Sequence, residues 1–162
     1  MQIFRGEDTP FKPAEMNSFV GAARTKLLAS DEQTSRVHIY HVQFDSGART
    51  HWHTHSGPQW LLVTEGRIRV QRWGEPVQDV EAGDAVMFAP GDKHWHGAVP
   101  GSRGVHLAVN LNVKTTWLEP VNAGALSPSC SFGADSMRQA PSRTSMAQPS
   151  VDDSQRNPST SV

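Results

Sequence analysis

The chain has 162 residues, 36% of them hydrophobic, and a formal net charge of -1. That length suits one domain of ordinary size, and a near-neutral charge with no basic run argues against a nucleic-acid partner. No apolar stretch approaches the ~18 residues of a membrane span, and Met1 to Asp8 lacks the apolar centre of a secretory signal, so a cytoplasmic protein with no membrane partner is expected.

The first clear strand is Arg36 to Phe44 (RVHIYHVQF), rich in β-branched and aromatic residues and closed by Ser46-Gly47. Arg49 to His55 follows, then a turn at Ser56-Gly57-Pro58 and a strand from Gln59 to Thr64. Glu65-Gly66 reads as the turn of a hairpin into Arg67 to Trp73. Further strands are expected over Val77 to Val80, Ala85 to Ala89, Lys93 to Val99, Val105 to Asn112 and Thr116 to Val121, separated by Gly, Pro and Asp turn signals. Many short strands at regular spacing, without a convincing amphipathic helix, predict an all-β sandwich or barrel.

The composition changes near Val121. From Asn122 the chain is rich in Ser, Pro, Gln and Asn and has no periodic apolar face. Such a segment buries too little surface to offset its ordering entropy, so residues 122–162 read as a disordered tail behind a domain spanning 1–121. The single cysteine, Cys130, falls in that tail and reads as an inert thiol. It excludes both an internal disulfide and a cysteine-built zinc site.

The eight histidines all lie between His38 and His106. Side chains two apart on a strand share a face, so His53 and His55 project together and can share one cation. Gln59 opens the next strand after a tight turn, where it can return to the same spot. His94 comes from a distant strand, with His96 on the same parity. Imidazole suits Mn, Fe, Co, Ni, Cu and Zn, so ligand type leaves the metal open. His51 shares the inward parity and reads as a rim or supporting residue. His38 and His41 point to opposite faces and read as packed or surface histidines. The five tryptophans read mainly as core and interface.

These residues carry a family resemblance. Gly47, His53, His55 and Gly66 fall at the spacing of the first cupin motif, G(X)5HXH(X)3-4E(X)6G, with Gln59 in place of its Glu. Gly83, Gly91 and His94 match the second motif, G(X)5PXG(X)2H(X)3N; its proline is displaced to Pro90 and Ala98 replaces its Asn. The chain thus resembles the cupins, and the resemblance implies a double-stranded β-helix, or jelly-roll, barrel. More narrowly, GARTHWHTH, Gln59, PGDKHWHGA and HLA before Asn110 resemble the bacterial monocupin hydroxynitrile lyases, over most of residues 40–111.

That narrower likeness implies one divalent metal per chain, Mn first and Fe second, held by His53, His55, Gln59 and His94. It turns the face of His106 and Asn110 toward the cavity as candidate catalytic residues, with His106 as a base. Tyr40, Val42 and His96 become candidate substrate-pocket residues. A small-molecule substrate and a homodimer or homotetramer are expected. Three neutral His and a neutral Gln would leave the full charge of the cation uncompensated, which favours Lewis-acid chemistry on an α-hydroxynitrile-like substrate. A cupin dioxygenase and a non-catalytic ligand-binding cupin are the competing readings, since fold does not dictate function.

Overall fold

The computed structural model describes residues 1–33 and 36–122. The stretch read as a disordered tail lies, from residue 123 onward, outside the described residues, as does Cys130. The described residues are all-β, with twelve strands: β1 (Lys12–Pro13), β2 (Phe19–Val20), β3 (Ala23–Asp31), β4 (Val37–Phe44), β5 (Arg49–Thr50), β6 (His53–His55), β7 (Gln59–Arg72), β8 (Gln78–Glu81), β9 (Ala85–Phe88), β10 (His94–Ala98), β11 (Gly104–Leu111) and β12 (Thr115–Trp117). No helix among the described residues is long and apolar enough to cross a membrane.

The strands form one curled sheet in the order β1-β3-β4-β11-β7-β10-β5-β2, with every pairing antiparallel. It has two faces that oppose each other. One wall is built from β3, β4, β11, β9 and the first half of β7; the other from β5, β6, β8, β10, β12 and the second half of β7. This is the jelly-roll barrel that the resemblance to the cupins implies.

The expected hairpin at Glu65-Gly66 does not form. β7 runs unbroken from Gln59 to Arg72 and passes from one wall to the other at Gly66. Gly66 has φ 69°, and a Cβ there would meet the carbonyl oxygen of Arg103 at 2.1 Å. Only glycine fits both conditions, so the signal that resembles a turn marks a strand switching sheets. A second difference concerns Arg49 to His55, which is broken at His51–Trp52 into β5 and β6. The break shifts the alternation: Thr50, His53 and His55 line the cavity, while Trp52 turns outward against Trp95 and Val121.

The third difference is the N-terminal third, where no strand is expected from sequence but β1, β2 and the nine-residue β3 form. β3 reads ARTKLLASD, and all but Ala23 of its residues stay partly exposed, so its apolar signal is weak. It forms because β4 offers a ladder from Phe44 to Val37, and an unpaired edge of that length is costly to leave open.

The core sits at one end of the barrel. Leu61, Val63, Ile68, Val70, Phe88 and Ala108 pack as one cluster; Ala23, Val42, Phe44, Ala48 and Ala98 pack as another. Fully burying a residue such as Phe44 or Leu61 contributes roughly 1.5–3 kcal/mol. On the outer face of β10, Trp95 is fully buried beneath Val121 and gives its Nε1–H to Gln71 Oε1 at 2.8 Å. The Arg49 guanidinium donates to the Val121 carbonyl at 2.9 Å and holds the last described residues against the barrel.

Candidate metal centre

The open end of the barrel holds a cavity of about 560 Å³. His53 on β6 and His94 on β10 are direct cross-strand partners, with ring centroids 4.2 Å apart. His55 lies 5.0 Å from His53 and 5.4 Å from His94. Gln59 reaches the same point from the opposite wall, its Oε1 3.0 Å from His94 Nε2.

Each ring is oriented locally. His53 Nδ1 lies 2.9 Å from the carbonyl of His51, and His94 Nδ1 lies 2.9 Å from the carbonyl of Asp92. A carbonyl can only accept, so both Nδ1 atoms carry the proton and both Nε2 atoms keep a lone pair. The useful atom of His51 is thus its backbone oxygen, not its ring. His55 Nδ1 meets Thr115 Oγ1 at 2.9 Å, and its Nε2 is buried without a hydrogen-bond partner. Gln59 Nε2 donates to Asn110 Oδ1 at 2.9 Å, which turns Gln59 Oε1 toward His94.

The result is a set of acceptors facing acceptors. The lone pair of His94 Nε2 meets the lone pairs of Gln59 Oε1 at 3.0 Å, with no proton left to bridge them. Two facing acceptors repel unless a cation lies between or near them. A divalent metal fits this donor set of neutral nitrogens and an amide oxygen.

Burial also favours neutral rings. Burial pushes His55 down to about 4, against the Gln59 side chain, which pulls it up. Burial likewise pushes His94 down to about 4 and His53 well below the ordinary histidine value, with the His94 ring adding to the effect. Rings that stay unprotonated at neutral pH are competent ligands.

His96 stands closer to this centre than its expected pocket role implies. A ring nitrogen of each of His53, His94 and His96 lies within 4.8 Å of the others. His96 lines the cavity, is held unprotonated chiefly by burial, and leaves Nδ1 without a partner. Tyr40 and Val42 line the cavity from β4, as their parity predicts, and Asn110 lines it from β11. Asn110, expected as catalytic, accepts a hydrogen bond from the Gln59 amide.

His106 has the inward parity expected of it but not the depth. It is 0% exposed, lies behind His96 at 4.8 Å and against Phe44 at 5.7 Å, and forms no part of the cavity wall. Neither ring nitrogen has a hydrogen-bond partner, and burial pushes the ring down to about 4. A base must reach the proton it takes, and this ring is separated from the cavity by His96.

Several lining residues escape the sequence reading. Lys12, Glu15 and Phe19 come from the N-terminal segment, which carries no strand signal; Thr115 and Trp117 come from the short β12. The ring of Trp117 lies 4.7 Å from that of His53. His38 also lines the cavity, above Tyr40 on β4. Its signal was present, because 38, 40 and 42 alternate with one parity.

The comparisons agree with this geometry. The Cupin domain family model matches residues 40–110, which contain every expected ligand. An (R)-mandelonitrile lyase from Granulicella tundricola is 42% identical over 106 residues, covering 64% of this chain and 81% of the relative. The chain is a cupin. A cupin-like protein of Thermotoga maritima, 34% identical, superposes with a TM-score of 0.67 over 70% of this cupin and 89% of that chain. A polyketide cyclase from Streptomyces resistomycificus, 17% identical, shares the fold with a TM-score of 0.60 over 74% of this cupin and 87% of its own chain. Similarity to the lyase supports an enzyme with a three-histidine centre.

Proposed function

We propose that this cupin is a metal-dependent lyase that cleaves and forms the C–C bond of α-hydroxynitriles. The observation that carries the reading is the set of unprotonated donors around Gln59, joined to the similarity with a mandelonitrile lyase. His53, His55, Gln59 and His94 would hold one divalent cation, Mn by preference and Fe next, with His96 adjacent. When bound, that cation supplies Lewis acidity toward a substrate oxygen and positive charge toward a cyanide-sized anion.

The chain's own residues supply the rest. The i−2 carbonyls of His51 and Asp92 hold two rings as lone-pair donors, and Asn110 fixes the amide of Gln59. Phe19, Tyr40 and Trp117 border the cavity and suit an aromatic substituent. The outward faces of Trp60, Leu62 and Met87 are exposed, which supports a homo-oligomer, measurable by light scattering of the purified chain.

The test combines elemental analysis with an assay of aldehyde release from mandelonitrile at mildly acidic pH. About one Mn or Fe per chain and metal-dependent cleavage are expected. A fully loaded protein that releases no aldehyde above background sinks the lyase reading, and oxygen uptake with candidate substrates then tests the dioxygenase alternative.

A further inference from the structure

Cleavage of an α-hydroxynitrile needs a proton acceptor that touches the substrate, and the inference below rests on the lyase reading. The histidines that face the barrel interior fall into two groups. His53, His55, His94, His96 and His106 cluster ring to ring at the floor. Burial disfavours the protonated form of every one of them, and a cation held there adds to that penalty. They are built to stay neutral.

His38 stands apart from that group. It lines the cavity near its mouth, its side chain 24% exposed, and its Nε2 lies 2.5 Å from Glu32 Oε1. Its ring stacks on Tyr40, with centroids 6.3 Å apart and planes 14° apart. The carboxylate can only accept, so Nε2 carries the proton and Nδ1 keeps its lone pair. A contact this exposed adds little stability, but it favours the Nε2–H tautomer and this ring orientation.

The register connects His38 to the floor. His38 pairs with Asn110, and Asn110 pairs with Gln59, so the three form one row across β4, β11 and β7. Neighbours in such a row have Cβ atoms ~5 Å apart, which puts His38 about 10 Å from Gln59 at Cβ. His38, Asn110 and Gln59 all line the cavity, so their side chains project from the same face of the sheet. A hydroxyl held over that row, between Gln59 and His38, comes within reach of the ring, directly or through one water.

We propose that His38, oriented by Glu32, is the catalytic acid–base residue of this cavity. His38 Nδ1 takes the hydroxyl proton, and the O–H bonding pair becomes the second bond of the carbonyl. The C–C bond to the nitrile breaks, and its electron pair leaves with cyanide. The imidazolium then returns the proton to cyanide, so that aldehyde and hydrogen cyanide depart with no other reactant consumed. Glu32 is a positioning residue: it accepts the Nε2–H throughout and presents its charge to the imidazolium while it exists.

The test uses His38→Phe, which keeps a ring against Tyr40, together with Glu32→Gln and the double variant. In the Mn-loaded chain, His38→Phe is expected to lower kcat by ~100-fold with KM within a few-fold and metal content at the parental level. Glu32→Gln should cost roughly tenfold in the parent and nothing further in the His38→Phe background, the signature of one unit. A readout independent of turnover is carbethoxylation by diethyl pyrocarbonate: saturating benzaldehyde should slow labelling of His38 but not of the outward-facing His41. An active parent whose His38→Phe variant is within about threefold of it overturns the dyad alone. So does an equal cost of Glu32→Gln in both backgrounds, or unshielded labelling of His38. A loaded parent with no cleavage overturns the lyase reading and the dyad with it.

Discussion

Two walls face each other across the cavity, and they are built to different rules. The wall of β6 and β10 presents His53, His55, His94 and His96, and the first three are oriented by a backbone carbonyl two residues back or by the hydroxyl of Thr115. The wall of β4 and β11 presents His38, Tyr40, Val42, Ala108 and Asn110, and of these only Asn110 is bonded to an expected ligand. One wall is specified atom by atom because a metal ion demands donors at fixed positions. The other contributes Gln59 to the centre and otherwise lines the cavity with a few polar and apolar groups. The difference separates the residues that would hold a metal from those that would meet a substrate.

The sharpest way to break that comparison is to remove a ligand from the first wall. His53→Ala or His94→Ala should strip most of the metal and, with it, activity by several orders of magnitude. Elemental analysis that finds both variants as metal-rich as the parent would falsify the centre. His96→Ala sharpens the same point, since retained metal would leave Gln59 as the required donor and lost metal would make His96 a ligand.

Next in size is the bond that fixes the Gln59 amide. Asn110→Ala frees the Gln59 amide to rotate and should weaken metal affinity by ~10-fold or more, the usual scale for a residue that orients a ligand. Chelator competition measures it, and Asn110→Asp, which keeps the acceptor, should lose less. Gln59→Glu should retain metal but lower the charge of the site by one. Azide or cyanide should then bind on the order of tenfold more weakly, given the size of a unit-charge interaction near a protein surface. Tighter anion binding in that variant contradicts the charge argument.

A pH series separates the walls by their protons. The floor histidines have folded pKa values below the ordinary 6.5, with His55, His94 and His106 at about 4. The unfolded chain takes up protons first as pH falls, so the metal-free protein should be fully stabilised above about pH 6.5 and lose stability down to about pH 4. Differential scanning calorimetry should find its Tm lower at pH 4.5 than at pH 7.5. A flat Tm across that range would mean that these rings are not held neutral. The smallest effect belongs to Tyr40. Tyr40→Phe removes one hydroxyl, and kcat/KM for mandelonitrile should change by less than ~10-fold with metal content unaltered.

The grouping of His53, His55 and Gln59 was readable because it is local. His53, His55 and Gln59 fall within seven residues, and the carbonyls that orient His53 and His94 belong to the residues two places before them. The family likeness turned Asn110 to the cavity, and strand alternation put Tyr40 and Val42 there. Alternation misplaced His51, because the break between β5 and β6 changes the phase, and a break leaves no trace in a two-residue period. Gly66 looked like a turn because φ > 0 serves a hairpin and a sheet crossing equally well.

What the sequence determined by itself is the barrel and the metal-binding spacing, since both follow from the period of a strand and from the chemistry of imidazole. Tertiary structure alone decided depth and closure. It put His106 behind His96, raised β1 to β3 from a stretch with little apolar pattern, and brought Glu32 to His38 at the mouth. These depend on which strand lies beside which and on how far along each strand the interior ends. A one-dimensional pattern records the face a side chain takes, but not how deep along the barrel axis it sits or what stands in front of it.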